Sequence, residues 1–297
     1  MPRPQPLIQN SRAVVTAVAM LSIGLAAFGS NGFAQGRTSS PPATTQSKGA
    51  PPNATQLPPI IKPPPPQTID ERFADRNERA LLAFQYSRCM MTTIVAGRTG
   101  KVGAIPPNDL AVCVQQKGEW RGVFGQFDES KTGFAVHLQY SMTGNGTIVK
   151  SPIDTANVAG AARALVRASS IPFPGNPSYE FLPVILSQKT FYEIWFLSAQ
   201  TDPAHAVVGG DSLIQMNADG RKELGHSKAT PPVRRIEIVP SVSYVLPGSE
   251  TDIPTISELM VANAATEIVT QVTVRTINWD WVRNRSAPKW RRVARTP

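Results

Sequence analysis

The chain has 297 residues, with 28 prolines, 2 cysteines, 3 histidines and a formal net charge of +9. Two cysteines exclude a disulfide-dense miniature fold, a four-cysteine zinc site and a cysteine-ligated iron–sulfur cluster, while a hydrophobic fraction of 41% suffices for a core. The charge sits at the ends: Arg3 and Arg12 near the start and Arg283, Arg285, Lys289, Arg291, Arg292 and Arg295 near the finish leave only +1 for everything between.

Arg3 and Arg12 precede an uncharged run from Ala13 to Phe28, and Gly32-Phe33-Ala34 then offers small residues at the two positions a signal peptidase reads. Charged start, apolar middle and small-x-small end describe a secretory signal peptide over residues 1–34. The apolar run is shorter than the roughly 20 residues a stable spanning helix needs. The competing reading is an uncleaved membrane anchor, because short runs sometimes stay inserted. The expected location is the periplasm or the exterior. Residues 35–67 form a proline-rich spacer, with ten prolines between Pro41 and Pro66. Such a segment has nothing to bury and favours extended polyproline II.

Order is expected from Thr68, in an α+β domain over residues 68–282. Thr68-Ile69-Asp70-Glu71 is a capping box, opening a helix to about Val95. Leu82, Tyr86, Cys89, Met90 and Thr93 fall on one face of it. Asp75, Glu78 and Glu71 suit the positive end of the helix dipole. Pro106-Pro107-Asn108-Asp109 is read as the start of a second, shorter helix carrying Cys113. In an oxidising compartment Cys89 and Cys113 pair, which would lock an N-terminal helical hairpin onto a mainly antiparallel sheet. A catalytic thiol is the rival idea, but neither cysteine has a histidine nearby.

Trp120 to Phe127 and Gly133 to Met142 alternate around the turn-like Asp128-Glu129-Ser130-Lys131, an antiparallel hairpin. Ser151-Pro152-Ile153-Asp154 opens an alanine-rich helix to about Ala168. Phe191 to Ala199 and Ser212 to Met216 read as strands, the latter before the turn Asn217-Ala218-Asp219-Gly220. Arg234 to Val239, Ser257 to Val261 and Thr266 to Val282 complete the strand set, and helices before a run of short strands indicate α+β.

Gly210-Asp211-Ser212-Leu213 resembles the nucleophile block of the GDSL esterases and lipases. That resemblance implies a serine esterase centred on Ser212, with His205 or His226 as base. It covers four residues, and the one Asp-x-x-His, Asp202 to His205, precedes the serine instead of following it. Gly209-Gly210-Asp211 also resembles the diguanylate cyclase signature, but Ser212 and Leu213 stand where an acidic residue and Phe belong. A longer pattern, Tyr192 to Thr201, then Gly209-Gly210-Asp211, Ala218-Asp219-Gly220-Arg221 and Ala265-Thr266-Glu267-Ile268, resembles a group of exported bacterial proteins to which no activity is assigned. His137, His205 and His226 have no metal-ligand spacing.

The basic tail, residues 283–297, interleaves Trp290 with Arg283, Arg285, Lys289, Arg291 and Arg292, just after Trp279 and Trp281. Arginine with tryptophan suits anionic surfaces. The i, i+2 spacing of Trp279 and Trp281 suits equally well one packed face of a last strand. The expected function is therefore a non-enzymatic exported envelope protein with an interaction or assembly role. Its expected partner is an envelope protein or an anionic lipid surface, with no nucleic acid, cofactor or metal. The alternative is the Ser212 esterase.

Overall fold

The computed structural model describes residues 67–98, 108–128, 133–142, 147–149, 152–171, 181–200, 205–227, 232–237, 243–246, 251–267 and 269–295. The signal segment and all but the last residue of the spacer lie outside them. Among the described residues the architecture is α+β, with three helices and several antiparallel sheets.

The Thr68 capping box forms as expected: the Glu71 amide donates to Thr68 Oγ1 at 3.2 Å, and the Thr68 amide donates to Glu71 Oε2 at 2.8 Å. These bonds hold Glu71 below the ordinary carboxylate range. Helix α1 (Ile69–Arg98) follows and, at 1.5 Å per residue, is about 45 Å long. Its buried stripe includes Phe73, Ala80, Ala83, Tyr86, Cys89 and Thr93. The face read from the sequence is therefore the one that packs.

Strands β1 (Leu110–Gln116), β2 (Glu119–Phe127), β3 (Phe134–Ser141) and β4 (Thr147–Ile148) make an antiparallel meander in that order. Cys113 lies on β1, so the Cys89–Cys113 disulfide joins a helix to a strand, not two helices. The reason is the hairpin: Gln116 pairs with Glu119, and Lys117 and Gly118 both take positive φ, as a two-residue turn matched to strand twist requires. Val112, Cys113 and Val114 are all buried on this strand, which stands in place of the expected helix, while Pro106 and Pro107 of the expected helix start lie outside the described residues. Phe191 to Ala199 appears as β6 (Phe191–Ser198), after β5 (Phe181–Ser187).

Helix α2 (Thr155–Ser169), capped by Asp154, packs against both this meander and the next sheet. That second sheet has the antiparallel order β5–β6–β8–β9, with β8 (Ser212–Asn217) and β9 (Glu223–Ser227) joined by the expected turn. Gly220 there has φ of +73° and meets the α2 backbone at Gly160, so any Cβ would collide with it. Strands β7 (His205–Val208) and β10 (Arg234–Glu237) form a separate antiparallel pair.

The last sheet has the order β11–β12–β13–β14: β11 (Ser243–Leu246), β12 (Gln271–Arg275), β13 (Trp279–Asn284) and β14 (Ala287–Ala294). β11 and β12 are parallel, and α3 (Ile256–Ala265) forms the crossover between them. Residues 257–261, read as a strand from their apolar run, are thus helical. The long strand expected from Thr266 to Val282 is instead two strands that turn at Thr276, whose amide donates to the Trp279 carbonyl at 2.8 Å.

Candidate functional site

The Gly209–Asp211 turn is built onto the start of α3. Gly209 and Gly210 take φ of +84° and +72°, open to glycine at little cost. Ser198 donates to the Gly209 carbonyl at 2.7 Å, and the Gly209 amide donates to Ser257 Oγ at 2.8 Å. Asp211 then places Oδ2 2.8 Å from the Ser257 amide, a carboxylate at the positive end of a helix. Thr255 and Glu258 complete a second capping box. Glu258 Oε1 also meets Arg234 Nη2 of β10, and Arg76 Nη1 donates to the carbonyls of Ile253 and Pro254 at 3.2 and 3.1 Å. Burial pushes the Asp211 and Glu258 carboxyls up, against the hydrogen bonds from Ser257 and Thr255 that pull them down, and burial lowers the Arg76 guanidinium. Beside this network lies a cleft of about 430 Å³, with Arg72 and Arg76 of α1, Trp195 of β6 and Asp211 in its lining.

The esterase constellation does not assemble here. Ser212 is buried at the start of β8, and its hydroxyl has no hydrogen-bond partner among the described residues. His226 Nδ1 lies 2.7 Å from Glu223 Oε1 and His205 Nδ1 lies 3.0 Å from Arg235 Nη2, so each candidate base contacts another side chain. His137 is held by Asp109 at 2.9 Å. Neither His205 nor His226 hydrogen-bonds the Ser212 hydroxyl, the contact by which a base takes the nucleophile's proton.

The basic segment is not a free tail, since residues 287–294 are the outer strand of the last sheet. Its pleat sorts the six candidate residues. Trp290 and Arg292 turn inward with Trp279 and Trp281. Phe73 of α1 stacks on Trp281 with centroids 3.7 Å apart and planes 2° apart, and Trp290 meets the same ring edge-on at 5.7 Å. The Arg292 guanidinium lies 4.3 Å over Trp279 and pairs with Asp70 at 3.2 Å. Arg283 donates to Asn263 Oδ1 of α3 at 2.5 Å. Arg285, in the turn, and Lys289 and Arg291, on the outward face, remain exposed and have no side-chain partner among the described residues.

Sequence reasoning missed the third cation of that face. Arg291 stands opposite Val282, which stands opposite Thr273, so Arg275, two residues along β12, shares the outward side with Arg291 and Lys289. Arg275 is exposed and likewise has no partner among the described residues. The one acid of this outward set, Asp280, has Arg295 Nε 3.8 Å away. The signal was legible once β12 ended at Arg275: strand pairing puts the two cations on one side. Compared with protein families, curated proteins and solved structures, the chain matches none of them.

Proposed function

We propose that the protein is a non-enzymatic exported protein of the cell envelope, and that its last sheet is the surface through which it interacts. The observation that carries this reading is the outward face of β12 and β14. Arg275, Lys289 and Arg291 project there beside the half-exposed Val293, against a single acid among the described residues of that face, Asp280, which stands opposite Arg275 and has Arg295 Nε 3.8 Å away. Three cations on a rigid pleated face attract an anionic surface by a term that each additional charge strengthens, about 1 kcal/mol per residue near an anionic leaflet. The tryptophans serve this arrangement indirectly: packed on Phe73, they hold the sheet against α1 instead of entering an interface.

The signal-like residues 1–34 support an exported location, and a disulfide between Cys89 and Cys113 suits an oxidising compartment. Co-sedimentation with phosphatidylglycerol vesicles tests the reading. Wild-type protein is expected to pellet at low ionic strength and to be released by salt, with a Debye length falling to about 3 Å at 1 M. The double variant Lys289→Glu/Arg291→Glu is expected to remain in the supernatant, while Trp290→Phe pellets like wild type. Equal pelleting of the charge-reversed variant, or of all forms with neutral vesicles, would sink the proposal.

A further inference from the structure

The cleft beside the Gly209–Asp211 turn has chemistry of its own, and none of the outward cations Arg275, Lys289 and Arg291 is in its lining. Its volume, about 430 Å³, falls within the roughly 300 to 1,000 Å³ of small-ligand sites. The lining carries both signs of charge: Arg72 and Arg76, one turn apart on α1, share the space with Asp211 and Asp252. Its apolar part comes from Trp195, Ile253 and Ile256.

Most of these polar groups are occupied by the fold, and two are not. Arg76 is tied by one nitrogen to two carbonyls, Asp252 Oδ1 accepts from Asn278 at 2.7 Å, and Asp211 Oδ2 accepts from Ser257. The Arg72 side chain is exposed and has no partner among the described residues. Asp211 Oδ1 has no hydrogen-bond partner among the described residues, although the residue is only 7% exposed. The start of α3 (Ile256 and Ser257) and the Arg76 charge act on this carboxylate, with the Ser257 amide bonded to Oδ2, and no described residue donates to Oδ1. A buried acceptor left without a donor is unfavourable and calls for an explanation.

We infer that this cleft binds a small zwitterion with an apolar side group, of the class of free amino acids and short peptides. The ligand's ammonium lies on the Asp211 side, its carboxylate on Arg72, and its side group against Trp195. A purely anionic ligand would meet Asp211 and Asp252, and a purely cationic one would meet Arg72 and Arg76. A neutral apolar ligand would bury both sets of charge without compensation. A ligand bearing both charges satisfies the two walls at once, and a guanidinium is suited to hold a carboxylate by two parallel hydrogen bonds.

The test is calorimetric titration of the full chain with leucylleucine and phenylalanylalanine, each also in N-acetylated and C-amidated form. Saturable binding of at least one free dipeptide is expected, weakened about tenfold or more when either end is blocked, as loss of a charge-assisted bond implies. Arg72→Gln, an exposed change that leaves the core untouched, should erase the preference for a free carboxylate and keep that for a free amine. Asp211→Asn retains an oxygen for the Ser257 amide and should do the reverse. Failure of both dipeptides to bind, equal binding of blocked and free forms, or unchanged selectivity in Arg72→Gln would each overturn the inference. None of these outcomes bears on vesicle binding by the sheet face, so the two proposals fail separately.

Discussion

The two halves of α1 are fixed to the rest of the molecule by different physics. The C-terminal half is tied covalently, through Cys89 to Cys113, and lies so close to β2 that a Cβ at Gly122 would overlap the Thr93 side chain. The N-terminal half is held by non-covalent contacts with distant sequence: Phe73 on Trp281, Arg76 on the Ile253 and Pro254 carbonyls, and Arg79 on the buried Glu193 at 2.8 and 3.1 Å. The Glu193 carboxylate keeps the Arg79 guanidinium more firmly protonated than usual. A covalent tie acts largely by restricting the unfolded chain, whereas stacked rings and buried pairs act only once the fold exists. The half that carries Arg72 and Arg76 into the cleft is thus the half that depends on the completed tertiary structure.

Phe73→Ala is the sharpest way to break that comparison. It removes the ring on which Trp281 and Trp290 rest, and a loss of about 3 to 5 kcal/mol is expected for a buried aromatic. Urea unfolding should show a lower midpoint with the slope unchanged, and the vesicle affinity of the sheet face should fall with it. Replacing Cys89 and Cys113 together by alanine should cost about 3 to 4 kcal/mol on the chain-entropy model for a separation of 24 residues. Here the urea slope should rise, because the unfolded chain is freed to expand. If both variants change the slope alike, the two halves are not held differently.

The smallest expected effect is on pH dependence, and it belongs to the N-terminal half, where Arg76 and Arg234 face Asp211 and Glu258. Burial raises both carboxyls above their ordinary range. The folded chain therefore keeps protons that the unfolded chain has released. Their contribution to stability is full below the unfolded value, about 4, and is lost as pH rises through the raised folded values. Denaturation at several pH values should show wild type losing stability relative to Asp211→Asn as pH climbs above about 4. A difference that stays constant or grows in the opposite sense would mean that Asp211 is ionised without penalty.

What the sequence revealed depended on whether the deciding contact was local. The capping box at Thr68, the stripe through Tyr86 and Cys89, the disulfide and the Asp219-Gly220 turn were legible because each is specified within a few residues or by composition. Thr255-x-x-Glu258 carries the same helix-start signature as Thr68, yet the branched run after it reads equally as a strand over so short a window. The Lys117-Gly118 turn was a readable hairpin signal that the neighbouring prolines masked. Of the cleft, only the Gly209–Asp211 turn and Asp211 itself stood out beforehand. Arg76 and Ile253 are 177 residues apart, and Arg79 and Glu193 are 114 apart, so no local pattern could bring them together. The basic face lay between these cases, since charge placed it near the end of the chain, while only strand register separated its outward cations from the inward Trp290 and Arg292.

The burial of the disulfide also sets an order of events. Cys89 and Cys113 are 1% and 2% exposed, so neither sulfur can be reached by a dissolved thiol or an oxidant once α1 has settled on β1. Exchange proceeds by attack on an accessible sulfur. The bond is therefore made while the core is still open, and it is kept afterwards by the packing that encloses it. A mature molecule carries in this pair a record of the redox conditions under which it folded, insulated from those it meets later.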